Sequence, residues 1–156
     1  MHKLLASLLL VFAASAIQAA DGPYHEAADA RRDIQQAQAD ARQAMRPLLV
    51  VFGANWCGDC KVLDMAMTQG TSAALMARDF RVVKVDVGRF DKNVDIAEGF
   101  DVPLKKGIPA VVMLSPDGRV LYATRAGELA DARRMSEAGI HDFFQRTLAS
   151  HRPKTP

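Results

Sequence analysis

The chain has only two cysteines, Cys57 and Cys60, three positions apart. A bridge that short cannot tie together distant parts of a fold, as the structural disulfides of small exported domains do. The pair is therefore read as chemical. Its setting narrows the fold: Leu48, Leu49, Val50, Val51 and Phe52 form a continuous apolar run ending at Gly53, and Val62, Leu63, Met65, Ala66 and Met67 follow the cysteines at helical spacing. An apolar run of that length reads as a buried strand, so the cysteines fall on a strand-to-helix turn.

The same logic orders the rest of the chain. Ala27, Ala30, Ile34, Ala37, Ala41 and Ala44 recur at helical spacing and predict an amphipathic helix over 24–45, ended by Arg46-Pro47. A short helix is expected over 72–78, a strand over 80–87, a helix over 93–100 and a strand over 108–114. The turn Ser115-Pro116-Asp117-Gly118 makes 120–124 its hairpin partner. The last helix is expected over 131–149, with Met135, Ala138, Ile140, Phe143, Phe144 and Leu148 facing the core. With 156 residues, 49% of them apolar, the chain suits one domain built as a βαβ unit followed by a ββα unit.

A cysteine at the start of a helix meets unpaired backbone N–H groups and the positive end of the helix dipole. Both favour the thiolate, and a helix N-terminus can lower a thiol pKa from about 8.5 into the range of about 3.5 to 7.5. Cys57 is therefore the expected attacking sulfur. Cys60, one turn further in, is the expected resolving sulfur.

The segment Val51-Phe52-Gly53-Ala54-Asn55-Trp56-Cys57-Gly58-Asp59-Cys60-Lys61 resembles the active-site segment of the thioredoxin family. Lys84 in Val83-Lys84-Val85-Asp86 falls where thioredoxins carry a lysine on the strand behind the site, and Gly107-Ile108-Pro109 matches their cis-proline loop. With Gly127 after the hairpin, the resemblance covers 46–149. It implies an α/β thioredoxin-like fold, a central mixed sheet flanked by helices, here with an extra N-terminal helix. It also implies that Pro109 is cis and faces the cysteines, and that Trp56 flanks the sulfurs as a partly exposed surface. Gly58, Asp59, Lys61, Lys84 and Ile108 join them as groove and tuning residues. Two positions depart from the family pattern: Val51 stands where thioredoxins bury an acid, and Asp59 stands where proline is common. A carboxylate beside the pair disfavours a second negative charge, which raises the expected Cys57 pKa and points to a reductase rather than an oxidant.

Rival chemistries fit less well. Structural zinc takes four protein ligands, and His2, His25, His141 and His151 have no ligand spacing to the cysteines. Met65, Met67 and Met76 raise a copper-binding surface, but Met65 reads as core. Asp91-Lys92-Asn93-Val94-Asp95 imitates the start of a calcium loop, yet Ile96 replaces the turn glycine and Val102 the closing glutamate, so Asn93 or Asp91 is expected to cap a helix instead. No bound cofactor is required for exchange through two thiols.

Lys3, the apolar run from Leu4 to Ile17 and the small residues up to Ala20 have the layout of a signal peptide over 1–20, with cleavage between Ile17 and Asp21 and a mature domain over 21–156. The run falls short of the roughly 20 residues a membrane-spanning helix needs, so no stable membrane insertion is expected after cleavage. From Asp21 onward, 19 basic residues face 18 acidic ones with no long run of either sign, and nothing marks nucleic acid as a partner. The expectation is a periplasmic thiol-disulfide oxidoreductase acting on disulfide-containing protein clients, served by a membrane-linked or other thiol redox partner. Lys105 and Lys106, just before Gly107, stand at the rim of the expected groove. The reading from a different class is a thioredoxin-fold binding or assembly module, a chaperone of a client or metal centre, with secondary redox activity.

Overall fold

The computed structural model describes residues 22–151; the expected signal peptide lies outside the described residues. The elements run α1 (Ala30–Ala44), β1 (Leu48–Gly53), α2 (Gly58–Thr68), α3 (Ala73–Asp79), β2 (Arg81–Asp86), α4 (Val94–Gly99), β3 (Ala110–Leu114), β4 (Val120–Ala123) and α5 (Glu137–His151). Two 3-10 turns, Leu104–Lys106 and Ala132–Arg134, precede β3 and α5.

The four strands form one mixed sheet in the order β2-β1-β3-β4. β1 runs parallel to β2, with Leu48 opposite Arg81 and Gly53 opposite Asp86, and antiparallel to β3, which pairs antiparallel with β4. Every residue of β1 is buried, because helices cover both faces of this central strand. Leu48, Val50 and Phe52 face α1 and α4, where Ala41 and Ala97 allow close approach. Leu49 and Val51 face α2, α3 and α5, meeting Leu63, Leu75, Ile140 and Phe144. The expected mixed sheet, flanking helices and extra N-terminal helix are all present.

Two helices begin later than their composition suggests. α1 starts at Ala30 because Asp29 caps it, accepting a hydrogen bond from the Arg32 N–H at 3.1 Å, and Ala27 is left exposed before it. The preceding segment instead folds back to bury Tyr24 against β1. A Cβ on Gly53 would lie 2.2 Å from the Tyr24 hydroxyl, so only glycine admits the ring at that point. α5 starts at Glu137, where Ser136 accepts from the Gly139 N–H at 3.0 Å, while buried Leu129 and Ala132 hold the preceding residues in a separate turn. Ala138 therefore lies exposed on the first turn of α5 and is not a core residue.

Two further expectations are corrected. Met65 is 58% exposed on the outer face of α2 and is not core. Neither Asn93 nor Asp91 caps α4 through its side chain: Asn93 donates to the Asp86 carbonyl at 2.8 Å, and Asp91 accepts from the Arg89 N–H at 2.8 Å. Both bonds shape the loop that follows β2.

Candidate active site

Cys57 and Cys60 form a disulfide with Cα atoms 5.2 Å apart, at the point where β1 feeds α2. Cys57 is the N-cap residue of α2, in an extended conformation, and its Sγ accepts from the Cys60 N–H at 3.1 Å. A sulfur in that place receives one of the helix's unpaired N–H groups and lies at the positive end of the dipole, which lowers the cost of negative charge on it. Both cysteines are buried, Cys57 at 5% exposure and Cys60 at 0%, so Cys57 is the one nearer the surface.

The Ile108–Pro109 peptide is cis, and the Ile108 carbonyl oxygen lies 3.5 Å from Cys57 Sγ. Both residues are buried. This loop is seated by a second one: a Cβ on Gly107, at φ 115°, would lie 2.5 Å from Ala130 Cβ, and a Cβ on Gly127, at φ 80°, would lie 2.5 Å from the Lys106 carbonyl oxygen. A side chain at Gly127 would force the proline loop away from the sulfurs.

Trp56 is 49% exposed beside the disulfide, pinned by its Nε1 hydrogen bond to the Gly88 carbonyl at 2.7 Å. Phe90 meets it edge to face at 5.9 Å, and the Arg89 guanidinium lies 5.8 Å from its ring centre. Phe90 is itself 43% exposed and holds a left-handed backbone, φ 64°, so two aromatic rings stand open next to the sulfurs. Lys61, Lys105 and Lys106 are exposed. A groove of about 850 Å³ beside Phe90 has an apolar floor of Val94, Val102, Pro103 and Leu104 and a charged rim of Glu98, Asp101, Lys105 and Arg125.

Behind the disulfide, Lys84 on β2 forms a partly buried ion pair with Asp64 on α2. Val51 opposes Lys84 in register and is buried among aliphatic side chains, so the apolar substitution expected from the sequence is filled by packing. Asp86 is buried, accepts from the Gly88 N–H at 3.1 Å and lies 3.8 Å from Lys92. Tyr24 occupies the same hydrophobic cluster as both cysteines. Burial, and then the charges of Asp64 and Asp86, push its hydroxyl well above the ordinary tyrosine range.

Asp59 departs most from its expected role. Its carboxylate is buried and turned onto the turn before α5, where Oδ1 accepts from the Arg133 N–H at 2.9 Å and Oδ2 lies 3.1 Å from the Arg133 guanidinium. Burial works to raise this carboxyl, but the Arg133 bonds and charge outweigh it and hold Asp59 below the usual carboxylate range. Asp59 thus stays ionised, with a cation beside it. The carboxylate expected beside the pair is present, and the Arg133 charge offsets the effect it was expected to have on Cys57. Arg133 and Tyr24 were both missed in the sequence. Among the described residues, no cluster of three or more histidine, cysteine or acidic side chains could hold a metal ion.

A buried disulfide at a helix N-terminus, faced by a cis-proline loop on a mixed sheet, defines a class of thiol-disulfide exchange protein, and residues 29–116 match the thioredoxin-like family. The chain belongs to that family and is a thioredoxin-like thiol-disulfide oxidoreductase. It is 34% identical over 95 residues to a thioredoxin of Pseudomonas aeruginosa, covering 60% of this chain and 78% of that one. It is 32% identical over 101 residues to a thioredoxin of Mycobacterium bovis, covering 63% and 78%. The crystal structure of a disulphide isomerase from Xylella fastidiosa matches with a TM-score of 0.78 and 47% identity, over 80% of this chain and 95% of that one.

Proposed function

We propose that the protein is an exported reductase or isomerase of disulfides in other proteins. The observation that carries the chemistry is the placing of Cys57 at the N-cap of α2, nearer the surface than the fully buried Cys60. The Cys57 thiolate attacks a client disulfide; the client S–S bond breaks, a mixed disulfide forms and one client thiolate leaves. Cys60, losing its proton, then attacks Cys57 Sγ and expels the second client thiolate. Two electrons pass from the dithiol to the client.

Direction rests on the relative from Xylella fastidiosa, a disulphide isomerase aligned over 95% of its length. Both isomerase and reductase work start from the reduced pair; isomerisation returns it, whereas net reduction of a client oxidises it and requires a thiol redox partner to regenerate it. Export rests on the signal-peptide layout of residues 1–20. Among the described residues, no helix is long and apolar enough to cross a membrane.

Equilibration of the protein over 21–156 with glutathione or dithiothreitol buffers tests the direction. A potential between about -270 and -180 mV supports a reductase or isomerase, and one near -120 mV overturns it in favour of a disulfide donor. A Cys57→Ser variant that kept full client function would favour a binding module instead. Export is tested by fractionating cells that express the full chain: an unprocessed protein retained in the cytoplasm would overturn it.

A further inference from the structure

We propose that Arg133 is a positioning residue that sets the acidity of the Cys57 thiol, by offsetting the charge of Asp59 and lying across the peptide between the two cysteines. The proposal rests on the exchange chemistry of Cys57 and Cys60 but not on its direction.

Reduction of the disulfide creates a thiolate at the mouth of α2, two residues from the ionised, buried carboxylate of Asp59. Two anions in one helical turn oppose each other, and a nearby cation relieves both. Arg133 is held in place for this in two separable ways. Its backbone N–H donates to Asp59 Oδ1 at 2.9 Å and fixes the carboxylate, whatever side chain the residue carries. Its guanidinium lies 3.1 Å from Oδ2 and supplies the charge.

The guanidinium also covers Gly58. A Cβ built there would lie 3.3 Å from both Arg133 Cδ and Nη1, tight enough that the arginine would have to yield. Glycine between the cysteines therefore leaves room for the cation. The other charged groups around the site are differently engaged: Arg89 lies against Trp56, Lys84 pairs with Asp64, and Asp86 with Lys92. Lys61 on α2, Lys105 and Lys106 before the proline loop, and Arg134 beside Arg133 are exposed. Arg133 is the cation paired with the carboxylate inside the motif.

The test is the Cys57 pKa in the reduced protein, read from the pH dependence of its alkylation rate, together with the reduction potential. Arg133→Gln should raise the pKa, cutting the thiolate fraction at a given lower pH by about three- to tenfold, nearer three because the Arg133 side chain is 66% exposed, and make the pair more reducing. Asp59→Asn should shift both quantities the opposite way, and the double variant should return close to the parent. Arg133→Lys, which keeps the charge, should stay near the parent; Gly58→Ala, which displaces the guanidinium without altering any charge, should follow Arg133→Gln in direction. No shift in Arg133→Gln, or shifts of the same sign in Arg133→Gln and Asp59→Asn, would overturn the proposal. The alkylation readout needs no turnover, so a parent protein inactive on disulfide clients would count against the exchange reading and leave this one standing.

Discussion

Asn55 grips the Tyr24 backbone on both sides of its Cα: the Tyr24 N–H donates to Asn55 Oδ1 at 2.9 Å, and the Tyr24 carbonyl accepts from Asn55 Nδ2 at 2.8 Å. Asn55 immediately precedes Trp56 and Cys57, so the segment ahead of α1 is tied to the active-site loop. Tyr24→Ala should destabilise the oxidised protein by about 3 kcal/mol or more, since it empties a buried aromatic site. Asn55→Ala, which unpairs the Tyr24 N–H and carbonyl, should cost about 1 to 2 kcal/mol. Urea unfolding at neutral pH measures both; an unchanged midpoint in Tyr24→Ala would mean that the segment contributes nothing to the fold.

The exposure difference between the sulfurs sets which one a client meets. Cys60→Ser should accumulate a mixed disulfide through Cys57 when mixed with reducible insulin, and Cys57→Ser should accumulate none at a comparable rate. Mass spectrometry of the trapped adduct decides between them. Equal trapping by the two variants would reverse the assignment of attacking and resolving sulfur.

Asp59 gives oxidised protein a specific acid response. Its carboxyl is held below the ordinary range, so its stabilising contribution is fully present above the unfolded value of about 3.9 and fades as pH falls through the lower folded value. The parent should therefore lose stability more steeply than Asp59→Asn as pH drops below about 4. Urea midpoints measured on the oxidised forms avoid any contribution from the thiols, and parallel slopes would show that the Arg133 pair adds no stability.

Phe90 spends a left-handed backbone on a ring left 43% exposed against Trp56. Truncation to alanine should raise KM for a protein client by about two- to fivefold with little change in kcat, and leave reduction of a small disulfide unaffected. Equal losses on large and small substrates would place Phe90 in support of Trp56 alone.

Much of this was legible in the sequence because it is local. Leu48 to Gly53 is apolar throughout, and covering by helices on both faces requires that; the cysteine pair then falls on the only junction the pattern allows. The residues that escaped act over distance or without a period. Arg133 is 74 positions from Asp59, and no spacing rule joins them. Tyr24 sits among helix-forming residues, and its burial depends on a missing side chain at Gly53. Met65 has the right helical spacing for the core, but α2 turns that side to solvent. A local signal did exist for α5: Ser136, three residues before Gly139, marks the start that the richer composition upstream concealed.

The complete burial of Cys60 makes the redox state and the folding equilibrium two sides of one thermodynamic cycle. Around that cycle the difference between folded and unfolded potentials equals the difference in stability between oxidised and reduced protein, and the short loop between the cysteines makes the unfolded potential nearly independent of the rest of the chain. Any change in packing around Cys60 that favours one form over the other, by about 1.4 kcal/mol, must move the potential by about 30 mV. Aliphatic residues that never meet a client can therefore be selected for the electron affinity of the pair.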